Sequence, residues 1–133
     1  MITNIMRTSL VVVLATAVLP SIATESKSVP VDEFYTSLRR AMDMAEGHPP
    51  KPDTIADLDM ASAVGYVAGM WDGMKLAAEM KRQGSSSCMS SPTQVAGMIR
   101  IVLRYIDTHP QAHSGDRFSA VGSAYFDAYP CLK

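Results

Sequence analysis

No stretch of this 133-residue chain alternates apolar and polar residues long enough to read as a half-buried strand. It has no internal repeat and no glycine-rich phosphate loop. Basic residues never run beyond pairs (Arg39-Arg40, Lys81-Arg82), and the formal net charge is −1. Nucleic acid and anionic membrane surfaces both demand a concentrated basic face, so neither is expected as a partner. The recognisable catalytic constellations are missing as well. There is no Gly-x-Ser-x-Gly elbow, no His-Glu-x-x-His pair and no carboxylate pair with an identifiable partner, so no catalytic residue and no enzyme activity are expected.

Cysteine is scarce, and where the two cysteines lie carries information. Cys88 and Cys131 follow a segment with the layout of a secretory signal. A short basic start ends at Arg7, an uncharged apolar run covers residues 10–19, Pro20 breaks it, and Ser21-Ile22-Ala23 supplies small residues for cleavage. The run of roughly 10 residues falls short of the ~20 needed to span a bilayer. Residues 1–23 thus read as a signal peptide and 24–133 as one domain, with the periplasm as the expected location. Losing Arg7 makes the mature chain one unit more negative. In an oxidising compartment an even cysteine count points to a disulfide, here Cys88 to Cys131. It would close a loop of about 44 residues, worth about 4 kcal/mol in the chain-entropy description.

The periodicity is helical throughout, which predicts an all-α fold: a small four-helix bundle with one intrachain disulfide. The first helix is expected over residues 32–46, with Phe34, Leu38, Met42 and Ala45 on one face. Gly47 and Pro49, Pro50 and Pro52 stop it. The second runs over residues 54–83, with Met60, Val64, Val67, Trp71, Met74 and Ala78 as an apolar stripe. Beside that stripe Ala61, Gly65, Gly69, Gly73 and Ala77 recur every four residues. Three helix-interior glycines cost about 1 kcal/mol each relative to alanine. Close approach of another helix, within the subunit or across a dimer, would offset that. For the third helix, Ser91 is expected as N-cap, Pro92 at the first position and Gln94 at the third, with Val95, Met98, Ile99, Val102, Leu103 and Ile106 facing inward. The fourth begins at Ser114 or Asp116 and carries Phe118, Val121, Tyr125 and Ala128 on one side before Pro130 ends it.

Metal and cofactor readings fare poorly. His109 and His113 are four apart, but Pro110 between them breaks the helical geometry that would bring them together. The methionines, a possible copper set, fall at core positions such as Met42, Met60, Met74 and Met98. No metal and no cofactor is expected. Asp72 leaves two readings open: an exposed ion pair with Lys75, or a buried carboxylate bonded to Tyr105 or a helix N-terminus. Trp71 reads as core, Tyr66 as core or interface.

The ordered segment Gly65-Tyr66-Val67-Ala68-Gly69-Met70-Trp71-Asp72-Gly73 resembles the Tyr-Val-x-Gly-x-x-Asp signature of the Rap/Tai immunity proteins, periplasmic antidotes to type VI secretion amidase toxins. Cys88, Thr93-Gln94, Tyr105-Ile106, Pro110 and the closing Tyr129-Pro130-Cys131 follow in the family's order, so the resemblance covers residues 60–131. One departure is the compact Met89-Ser90-Ser91-Pro92 after the first cysteine, where the family commonly has a longer stretch. The resemblance implies an all-helical homodimer that inhibits a peptidoglycan amidase effector by occupying its active-site cleft. A competing reading is a periplasmic structural or chaperone-like envelope-stress protein. With helix faces committed to the core, partner contacts fall to loops. The serine-rich segment with Lys81, Arg82, Gln83, Ser85, Ser86 and Ser87 is the candidate, against the reading of a tolerant surface loop. If Cys88 and Cys131 are bonded, reduction lowers the melting temperature by many degrees, and thiol titration of the native, unreduced protein finds no free thiol; two free thiols contradict the pairing.

Overall fold

The computed structural model describes residues 29–81 and 94–132. The signal segment, Cys88, Arg82, Gln83, Ser85, Ser86, Ser87 and Ser91 lie outside the described residues, as does the side chain of Cys131, and so does the expected disulfide. Among the described residues the chain forms four α-helices: α1 (Val31–Ala45), α2 (Thr54–Lys81), α3 (Val95–Thr108) and α4 (Arg117–Ala128). Single 3₁₀ turns at Pro110–Ser114 and Pro130–Leu132 follow α3 and α4.

Each boundary has a local cause. Asp32 and Glu33 sit in the first turn of α1, where the helix dipole favours negative charge. At its other end Gly47 takes φ 81°, the left-handed conformation glycine adopts without strain. The His48 amide then bonds the Asp43 carbonyl (2.8 Å) and the Gly47 amide that of Met44 (3.2 Å), satisfying carbonyls the helix leaves open. Asp53 opens α2: its Oδ1 accepts from the amides of Ile55 (3.0 Å) and Ala56 (3.1 Å). Arg40 of α1 bonds Asp57 Oδ1 (2.7 Å) and the Lys51 carbonyl (2.7 Å), clamping the α1–α2 loop. That contact with Arg40, ahead of the backbone bond from Asp53, holds the Asp57 carboxyl below its ordinary value. Asp116, as expected, caps α4 by accepting from Ser119 N (2.9 Å) and Ser119 Oγ (2.8 Å). The same two bonds keep its carboxyl ionised below the usual 3.8.

Packing follows the predicted faces on α1 and α3 save at their ends: Ala45, the last residue of α1, is exposed. Val31, Phe34, Leu38 and Met42 of α1 are buried with Met98, Ile99, Val102, Leu103 and Ile106 of α3. From α2 the buried residues are Ala63, Val67 and Trp71; from α4 they include Ala120, Val121, Ala124 and Tyr125. α1 lies against α2 and α3, and α4 packs chiefly on α3. Tyr125 is fully enclosed and donates its hydroxyl to the Val67 carbonyl at 2.9 Å. Trp71 stands between Tyr125 and Tyr129, edge-on to both, with ring centroids 5.3 and 5.0 Å apart.

The structure corrects four further expectations. Gln94 is the residue before α3, with extended ψ 149° and no side-chain cap, so it cannot be the third residue of a capping box. Its carbonyl takes the first turn's bonds from Gly97 and Met98 instead. Val95 and Phe118 are exposed rather than core, each lying in the first turn of its helix and overhanging the packed layer. The glycine row of α2 is not packed within the subunit: a Cβ added at Gly65, Gly69 or Gly73 would meet nothing within 4 Å. Gly65 and Gly69 each stand two residues from Val67, about 200° around the helix, so burying Val67 turns them outward.

Tyr125 gives a stability test. Burial, with smaller contributions from Tyr129 and Asp72, raises its phenol well above the ordinary 10.0. The folded state therefore holds this proton more tightly than the unfolded chain. The stability it confers is complete below pH 10.0 and falls as pH rises beyond that, by about 1.4 kcal/mol per pH unit. Tyr125→Phe should lose about 1 kcal/mol at neutral pH with the bond to Val67, and its chemical-denaturation curves should lack this alkaline loss.

Candidate functional site on the outer face of α2

The residues of the family-like signature divide between the two sides of α2. Val67 and Trp71 point into the core, while Gly65, Gly69, Asp72 and Gly73 are exposed on the opposite side. Tyr66 lies between, half-buried. Its ring meets Phe34 edge-on at 5.9 Å, and the Arg117 guanidinium sits over its face at 4.4 Å. Gly65, Tyr66, Gly69, Met70, Gly73, Met74 and Phe118 together line an open, apolar groove of about 560 Å³. The glycines are its floor because they carry no side chain; Phe118, reaching across from α4, is its wall.

Asp72 is exposed and makes neither the Lys75 ion pair nor a bond to Tyr105. Tyr105 instead stacks flat on His109, centroids 4.0 Å apart and 16° between planes. His109 Nδ1 approaches the Tyr105 carbonyl at 2.9 Å. Pro110 starts the 3₁₀ turn after α3, Pro130 the one after α4, and Gln94 marks the start of α3 on the surface. These signature residues therefore shape helix ends; they do not converge on one point. Lys81 is exposed at the end of α2. His113 turns from His109 and places Nδ1 2.6 Å from Asp32 Oδ1. Among the described residues no three His, Cys, Asp or Glu side chains are grouped to hold a metal.

A second recess, of about 570 Å³, opens between α1 and α2 over Phe34 and Ala63. Its rim mixes Glu33, Asp43 and Asp59 with Arg39, Arg40 and Arg117. Arg40 is already committed to Asp57. Nearby, Tyr35 donates to Asp107 Oδ1 at 2.6 Å and receives a bond from Arg39 Nε at 3.0 Å, which fastens α1 to α3. Sequence reading missed the Tyr35–Asp107 tie, which joins residues 72 positions apart, and it missed Phe118 as a groove wall. It also passed over Ile55, Leu58, Leu76 and Met80, all exposed. Their spacing of three and four was visible along the glycine side of α2.

The site offers apolar contact surface and backbone rather than a nucleophile beside a base, an arrangement suited to recognising another protein. No helix among the described residues is long and apolar enough to cross a membrane. No curated protein and no solved structure matches the chain. Residues 35–131, from α1 through the last 3₁₀ turn, match the family of Rap1a immunity proteins, and on that span the chain belongs to this family.

Proposed function

We propose that the protein is a periplasmic immunity protein, exported by its N-terminal signal, that binds a type VI secretion effector of the peptidoglycan amidase class and blocks its active site. The observation that carries this reading is the family match across all four helices. Supporting it, Gly65, Gly69 and Asp72 of the signature lie on the surface, where the subunit's own core makes no use of them. The role is binding rather than turnover, and the working form is taken to be a homodimer of disulfide-bonded protomers. Contact with the amidase is assigned to the segment following α2, with Lys81, Arg82 and Gln83 as donors and Ser85, Ser86 and Ser87 as adaptable hydrogen-bonding groups.

Purified mature protein should abolish peptidoglycan cleavage by a cysteine-histidine amidase encoded beside it when added at micromolar excess; a fully active enzyme contradicts the reading. Replacing Arg82 and Gln83 together by alanine should weaken amidase binding about thirtyfold with an unchanged melting temperature, since each lost charged or amide donor is worth about 1 kcal/mol. Unchanged affinity moves the contact to another surface.

A further inference from the structure

The recess between α1 and α2 holds an arginine that the fold leaves without an acid. Of the three arginines lining it, Arg39 pairs with Asp107 and Arg40 with Asp57. Arg117 is half-buried, and its guanidinium lies 4.4 Å over the Tyr66 ring. Among the described residues no carboxylate pairs with it, although Glu33 lines the same recess. A guanidinium held over an aromatic face with its donors unspent is prepared to receive a planar anion such as a carboxylate.

We infer that this recess binds a short zwitterionic peptide, its carboxylate on Arg117 and its terminal ammonium on Asp59. Asp59 lines the α2 side of the recess and has no ion pair among the described residues. Tyr66, which carries the Arg117 guanidinium, stands seven positions further along the same helix. Seven positions are a rise of about 10 Å. An extended peptide advances about 3.3 Å per residue, so about three residues separate its two charged ends. The spacing selects a tripeptide.

The lining between the charged ends suits such a chain. Phe34 and Ala63, both buried, offer apolar surface to small aliphatic side chains. Ser37 of α1 and Ser62 of α2 supply polar partners for the peptide groups. The Ser37 hydroxyl already donates to the Glu33 carbonyl at 3.0 Å, which leaves its lone pairs to accept a peptide N–H. The volume of about 570 Å³ lies within the ~300–1,000 Å³ of small-ligand sites. Glu33 and Asp43 on the rim disfavour a ligand with surplus negative charge. Hydrolysis of a peptide bond creates a free carboxylate and a free ammonium, so peptide hydrolysis is the class of reaction that supplies this ligand. The site requires neither the export signal nor the effector.

The test is titration of the purified mature protein with trialanine, N-acetyl-trialanine and trialanine amide, followed by NMR amide shifts. Trialanine should bind with a Kd of about 1 mM or tighter, and blocking either terminus should weaken it at least tenfold. The shifts should concentrate at Ser37, Ser62 and Arg117. Asp59→Asn should weaken trialanine as much as acetylation does, yet leave the N-acetyl peptide unaffected, because that ligand has no ammonium to lose. Arg117→Gln should likewise weaken trialanine and spare the amide. Should Arg117→Gln alter the circular dichroism, Asp59→Asn carries the same test from an exposed position. No saturation by trialanine at about 10 mM overturns the site, as do saturable shifts confined to another surface. Blocked peptides that bind as tightly as trialanine overturn the two ion pairs. An N-acetyl peptide weakened by Asp59→Asn overturns the placing of the ammonium.

Discussion

The inner face of α2 is fixed by aromatic packing around Trp71, and the rest of the molecule depends on that commitment. Trp71 is wedged between Tyr125 and Tyr129, and the Tyr125 hydroxyl ends on the Val67 carbonyl of the same helix. A buried hydroxyl needs a partner, and this one is met by backbone. Once Val67 and Trp71 face the core, the pitch of the helix sends Gly65, Gly69 and Gly73 to the outside. The rotation of α2 is thereby set by two aromatic contacts and one hydrogen bond, and the surface offered to other proteins follows from it.

The polar ties around this core act on the ends of helices. Asp53 and Asp116 open α2 and α4, Arg40 clamps the loop before α2 through Asp57 and Lys51, and Tyr35 with Arg39 fastens α1 to Asp107 of α3. These groups are largely solvent-exposed, where individual ion pairs contribute little. Their value is positional: they fix where each helix starts and how its face is turned, and burial supplies the stability.

The faces of α1 and α3 were legible because both are amphipathic. Phe34, Leu38 and Met42, or Met98, Val102 and Ile106, have polar residues opposite them and leave one choice of buried side. The Asp116 cap was equally plain, as its side chain answers a local need. α2 was not legible in the same way. Met60, Val64, Val67 and Trp71 form one apolar stripe, and Ile55, Leu58, Leu76 and Met80 extend another; periodicity alone assigns no owner to the second. Phe118 shares the phase of Val121 and Tyr125, yet it sits in the first turn of α4 and overhangs the core, a matter of where the helix begins rather than of period. Gln94 failed for the related reason that helix starts are set by backbone geometry which a capping pattern only approximates.

The proposed function assigns amidase contact to the segment after α2 and leaves the outer face of α2 outside that contact. The most direct measurement is inhibition of the cognate amidase by the folded Gly69→Leu protein. If that assignment holds, the variant, whose added side chain meets open space in the protomer, inhibits with an affinity within about threefold of wild type. A folded variant that has lost inhibition would contradict the assignment and place the amidase on the glycine groove itself.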